Sequence, residues 1–198
     1  TAHVLQNDEV TALYAPLLEG LTKAQPEEGD VLIAVDVAAD SMLPKAYADM
    51  KNCIDLRIDH HGSGREYTPN EYVDGSYAAC AEIIWELLLD LGVDPDEKMA
   101  EAVYVGVATD TGCFRFANTN AHTFFVASLC ARAGAPVNAL NQELFETNSL
   151  AKLRLQAWMV ENLKLFGDGK FAVVAIPRAV EDMLGVTEDD LGNISSFP

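Results

Sequence analysis

Val31-Leu32-Ile33-Ala34-Val35-Asp36 and, further on, Cys53-Ile54-Asp55-Leu56-Arg57-Ile58-Asp59-His60-His61-Gly62-Ser63-Gly64 decide how the fold is read. The first is a short, β-branched, continuous apolar run, too short for a helix and bounded by turn residues. The second has the same character up to Ile58. Such runs predict buried parallel strands. Both end in ionisable residues, and in open α/β sheets ligands bind beyond the carboxyl ends of the strands.

Working outward, residues 1–29 read as a loop and a short helix, with Pro26-Glu27-Glu28-Gly29-Asp30 as the breaker. Helical spacing dominates after the second run. It predicts helices over 78–91, closed by Gly92, and over 96–109, entered from Pro95. Further helices are expected over 122–132, 137–145 and 149–166. A strand over 171–176 follows a Gly-Asp-Gly turn, and a short helix covers 180–184. The composition shift at Gly167–Lys170 predicts a main domain over 1–166 and a following segment over 167–198. The expected class is α/β, a parallel sheet flanked by helices.

The 198 residues are 49% hydrophobic, enough for a substantial core. No apolar run is long enough to cross a bilayer, and no signal-peptide pattern opens the chain. Cys53, Cys80, Cys113 and Cys130 are scattered and form no Cys-x-x-Cys pair, which reads as free thiols in a reducing compartment. A soluble cytoplasmic protein is expected. The formal net charge of −18 argues against a surface binder of long nucleic acid, whose affinity comes from Lys and Arg on phosphates. It leaves room for a small phosphorylated substrate held by metal ions.

The chemistry lies at the ends of these runs. Asp36 alone reads as readily as a cap or turn former. Asp59-His60-His61 is poorly explained by packing. Neighbouring side chains on a strand face opposite ways, so the two histidines need not share a metal; a turn at Gly62 would let both face one cleft. Asp110, in Thr109-Asp110-Thr111-Gly112, falls at an expected helix C-terminus. A carboxylate is awkward at that negative end of the dipole unless a cation compensates, or unless the helix has already ended in a turn. Oxygen and imidazole donors without thiolates suit manganese, magnesium or zinc and point to metal-assisted phosphoester hydrolysis.

These segments, with Ala81-Glu82-Ile83-Ile84-Trp85-Glu86-Leu87, Gly106-Val107-Ala108-Thr109-Asp110-Thr111-Gly112-Cys113-Phe114-Arg115-Phe116 and Asn118-Thr119 through Thr123, resemble the DHH phosphoesterase superfamily. Within it the chain looks most like the bifunctional oligoribonuclease and pAp phosphatase group. The resemblance implies a manganese-dependent hydrolase, with magnesium as the alternative ion, in a two-metal site. Its substrate would be a short oligonucleotide or a phosphorylated nucleotide, with no long duplex and no membrane as partner, and with a homodimer as the assembly to test. Asp36, His60 and Asp110 are implied as metal ligands, and His61 as the catalytic histidine beside the phosphate. Asp59 would orient a histidine. Arg115 and His122 are implied on the substrate side, though each also reads as an ordinary surface or helix-start residue. The alternatives are a cyclic-dinucleotide phosphodiesterase of the same superfamily and a non-catalytic nucleotide-binding module. The family's earlier His and Asp cluster, on its first strand, has no match here, and neither has its C-terminal glycine-rich motif. The expectation is therefore a catalytic domain without its first strand, followed by the beginning of a substrate-binding segment, and inactive on its own.

Overall fold

The computed structural model describes residues 2–5, 10, 14–23, 25–191 and 194. Its residues group into two compact units, one reaching to Leu144 and one running from Phe145 onward. Among the described residues no helix is long and apolar enough to cross a membrane.

The first unit opens with β1 (Val4–Leu5) and β2 (Thr22–Lys23), a two-residue parallel pairing flanking a 3-10 turn at Ala15–Leu18. The expectation for 1–29 was a loop and a short helix, which the 3-10 turn answers, but not the pairing; its share of 1, 6–9, 11–13 and 24 lies outside the described residues. The main sheet is β3 (Ile33–Val35), β4 (Leu56–Asp59) and β5 (Glu71–Val73), all parallel, in the order β3-β4-β5. The pairing of Val35 with Ile58 places Asp36 beside the end of β4. The Asp36 amide extends that ladder by donating to the Ile58 carbonyl at 2.9 Å. Asp36 itself turns out of the strand at φ 61°, a left-handed conformation that Asp tolerates better than most residues.

Four α-helices follow in this unit, α1 (Cys80–Asp90), α2 (Glu97–Asp110), α3 (Ala121–Arg132) and α4 (Val137–Asn141), the last running on into a π-helical turn at Gln142–Glu146. Asp96 caps α2 by accepting from the Met99 amide at 2.9 Å. Asn120 and Thr123 form a reciprocal capping box on α3. Ile58 packs with Cys80 and Ile83 of α1, and Leu56, Tyr77 and Ile84 close around them. Helices α1 and α2 approach closely because Gly106 faces Ala81: a Cβ at Gly106 would lie 2.7 Å from the Ala81 Cβ. This approach carries the end of α2, and Asp110 with it, toward the end of β4.

In the second unit α5 (Leu150–Glu161) buries Leu155 and Met159. It is followed by the antiparallel pair β6 (Lys164–Phe166) and β7 (Phe171–Val173), then α6 (Arg178–Leu184) and α7 (Glu188–Leu191). Gly185, at φ 69°, stops α6.

Several local expectations are corrected. The run at 31–35 is only partly buried: Ala34 is 6% exposed, but Ile33 is 51% and Val35 45%. A continuous apolar run implies two covered faces. Here β3 is an edge strand bordering a recess of about 820 Å³, also lined by Leu43, Tyr47, Met50, Ile54 and Leu87. Cys53 ends a 3-10 stretch (Lys45–Cys53), so the second strand starts at Leu56 and includes Asp59. β5 was not anticipated. Residues 164–166 are strand rather than the end of a helix. Gly167, Asp168 and Gly169 all have positive φ and turn the chain back, so that pairing with β7 overrides the helical spacing. The four cysteines are free, as read.

Candidate metal centre

Asp36, Asp59, His60 and His61 each present one donor atom within 4.8 Å of all the others. Asp110 joins them from the last position of α2. His60 Nε2 lies 3.5 Å from Asp36 Oδ1 and 3.4 Å from Asp110 Oδ2, and His61 Nδ1 lies 3.6 Å from Asp36 Oδ1. Because β4 ends at Asp59, the strand alternation no longer applies at the histidines. Both rings turn into one cleft, with centroids 4.3 Å apart.

Each imidazole is oriented from behind. His60 Nδ1 is 3.2 Å from the Tyr77 carbonyl; in the tautomer that donates there, the Nε2 lone pair faces Asp36 and Asp110. Asp59 Oδ1 accepts from the His61 amide at 2.9 Å and lies 2.8 Å from His61 Nδ1. The other Asp59 oxygen accepts from Arg57 Nε at 3.1 Å and Nη2 at 2.7 Å. Burial alone would push the Asp59 carboxyl up, but these hydrogen bonds and the Arg57 charge hold it down at about 2. Asp59 is therefore a fixed anion beneath the site. Asp110 shows the opposite balance. Burial first, and then the Asp36 charge, raise it to about 6 against the pull of the histidines. Crowded carboxylates of this kind call for a cation.

The donor set fits a divalent ion. It offers carboxylate oxygens and imidazole nitrogens with no thiolate among them, which favours manganese, magnesium or zinc.

Arg115 and His122 stand outside this group. Arg115 is exposed and donates from Nε to the Gly112 carbonyl at 2.6 Å. His122 sits in the first turn of α3, edge-on to Tyr77, with Nε2 3.3 Å from Glu86 Oε1 and 3.8 Å from Glu82 Oε2. Tyr77 OH donates to Glu86 in turn. Arg57, Tyr77 and Glu82 received no role from the sequence. Arg57 carried a signal, a cation inside an apolar strand two residues before Asp59 and so on the same face. Glu82 carried a weaker one, a carboxylate on an apolar helix stripe; it is fully buried, and burial pushes its carboxyl up against the pull of Thr123 and His122. Tyr77 acts through its backbone carbonyl, which no residue type announces.

No protein-family model matches the chain. Among curated proteins it is 31% identical over 152 residues to the bifunctional oligoribonuclease and PAP phosphatase NrnA of Bacillus subtilis, covering 72% of this chain and 48% of the relative. It is 26% identical over 171 residues to the probable NrnA of Streptococcus mutans, covering 86% of this chain and 54% of the relative. The chain thus spans about half the length of these relatives. Among solved structures, an exopolyphosphatase-related protein from Bacteroides fragilis shares the fold with a TM-score of 0.75 at 22% identity, over 83% of this chain and 50% of that one.

Proposed function

We propose, on the premise that this chain is similar to the DHH phosphoesterases of the oligoribonuclease and PAP phosphatase group, that the intact protein is a divalent-metal-dependent phosphoesterase. Its substrates are short oligoribonucleotides and PAP, and manganese is its ion. The carrying observation is the convergence of Asp36, His60, His61 and Asp110 from two strand ends and a helix end onto one cleft. The segment from residue 167 onward is the beginning of its substrate-binding part.

Asp36, His60 and Asp110 would hold the ion. When bound, it would supply Lewis-acid polarisation of a phosphoryl oxygen and would acidify water. The protein's own groups prepare the cleft. The Tyr77 carbonyl holds His60 in the liganding tautomer. Asp59 holds His61 by its backbone amide and by Nδ1, which leaves His61 Nε2 to exchange a proton with the reacting phosphate ester. The His61 amide and Arg57 together keep Asp59 ionised, so that this orientation persists. His61 is half-exposed, as a group that meets a substrate must be.

The test is a substrate panel on the intact protein with and without manganese: di- and triribonucleotides, PAP, a cyclic dinucleotide and pyrophosphate. Manganese-dependent release of mononucleotides or of phosphate from PAP is expected. Turnover confined to the cyclic dinucleotide or to pyrophosphate would replace this reading, and no turnover of any of the five would end it.

A further inference from the structure

The loop after Asp110 is built in an unusual way. Gly112, Cys113 and Phe114 are three consecutive residues at positive φ, of 55°, 57° and 63°. Two of them carry side chains, and left-handed backbone at such residues persists only where the surroundings impose it. Here the amides of Arg115 and Phe116 both donate to the Thr111 carbonyl, at 2.9 and 3.0 Å, and the Cys113 amide donates to Ala108 at 2.7 Å. The tight turn lays the Phe116 ring directly on Gly112: a Cβ there would sit 2.6 and 2.7 Å from Phe116 Cε1 and Cε2.

Phe114 and Phe116 have different fates. The Phe114 ring stacks on Phe124 at 5.4 Å and tilts against Tyr104. Phe116 stays 46% exposed, although it is pinned in place by the glycine beneath it. Next to it in sequence, Arg115 is exposed and donates from Nε to the Gly112 carbonyl at 2.6 Å. Gly112 is two residues from Asp110, which puts their Cα atoms at most about 7.6 Å apart. The Asn118 amide ties the same loop to the Asp110 carbonyl at 3.1 Å. A ring held against Gly112 and an exposed guanidinium therefore follow closely on Asp110 along the chain.

Resting on the phosphoesterase reading, the geometry points to Phe116 as the stacking platform for the nucleobase next to the scissile phosphate. A phosphate ester held at Asp36, His60 and Asp110 would have this loop within reach of its organic part, since Gly112 follows Asp110 by two residues. A planar base is the substituent that a fixed aromatic face recognises without regard to sequence. Splayed bases of short RNA are bound in this way elsewhere. Specificity for nucleotides over other phosphate esters then resides in this ring, and the metal centre itself is indifferent to the base.

The experiment compares intact wild-type protein with Phe116→Ala and Phe116→Tyr on two substrates, a diadenylate and its abasic counterpart, with manganese present. Equilibrium dialysis of AMP and of ribose 5-phosphate runs in parallel. Wild type should prefer the base-bearing substrate in kcat/KM and AMP in binding. Phe116→Ala should shrink both preferences roughly ten- to a hundredfold, mainly through KM, and Phe116→Tyr should keep them. A merely structural ring would lower both substrates together and leave the ratios intact, which overturns the proposal. Binding of AMP no tighter than ribose 5-phosphate by wild type also overturns it. No hydrolysis of either substrate by the wild type, with its AMP preference present and lost in Phe116→Ala, strikes the phosphoesterase reading instead and leaves the platform standing.

Discussion

Replacing Arg57 by methionine keeps most of the side-chain volume under β4 and removes one charge. The guanidinium is 1% exposed and the Asp59 carboxylate 0%, and they meet through two hydrogen bonds to one oxygen. The same guanidinium lies 3.4 Å from Glu71 Oε2 and 5.2 Å from the Tyr67 ring centroid. The variant therefore strands a buried carboxylate that the fold keeps ionised and weakens the hold on a second. Breaking a buried pair from one side costs about 3–5 kcal/mol. For a chain of this size that corresponds to a fall in Tm of about 6–20 °C. Urea and thermal denaturation followed by circular dichroism, in EDTA so that metal binding adds nothing, measure it directly. The double variant Arg57→Met, Asp59→Asn should regain part of the loss, because the stranded charge is gone. A single-variant loss under about 1 kcal/mol, or a double variant whose loss equals the sum of the two singles, would refute the account of Arg57 as the counter-charge.

Three further outcomes are expected. His60→Ala and Asp110→Ala should each weaken manganese binding at least about tenfold by calorimetry, with little change in the metal-free melting curve. Gly112→Ala should cost more than about 1 kcal/mol and displace Phe116, since the position is left-handed and a Cβ there meets the ring; a near-neutral melting temperature would count against that packing. Asp190 accepts from Ser149 Oγ at 2.5 Å and from the Thr187 amide at 2.9 Å, and these bonds lower its pKa from 3.8. The stability it adds is fully present above its unfolded pKa and is lost as pH falls through the lower folded value. Asp190→Asn should thus destabilise the protein at neutral pH and show less acid sensitivity as pH falls below about 4 in a denaturation series.

The cluster of Asp and His side chains was legible where chemistry conflicts with packing. Three ionisable residues after an apolar run, and a carboxylate at the wrong end of a helix, are both costly unless something compensates. The second falls where it was expected: Asp110 closes α2, and burial, followed by the Asp36 charge, pushes its carboxyl up to about 6. What escaped was set by distant partners. β5 is three residues, Glu71-Tyr72-Val73, that become a strand only because β4 offers an edge. Lys164–Phe166 continues a helical spacing until a turn of three positive-φ residues pairs it with β7. The run at 31–35 announced a strand correctly, but its apolar residues could not tell whether both faces would be covered.

The left-handed backbone of Asp36 restricts which residues can follow it there. At φ 61° only glycine, asparagine and aspartate sit without appreciable penalty. A chain that gave up the carboxylate at this position but kept its strand end would therefore carry Asn or Gly, and the same two residues separate ligand from architecture at the bench. Asp36→Asn removes a charge on an unaltered backbone, whereas Asp36→Ala removes the charge and strains the turn that delivers it.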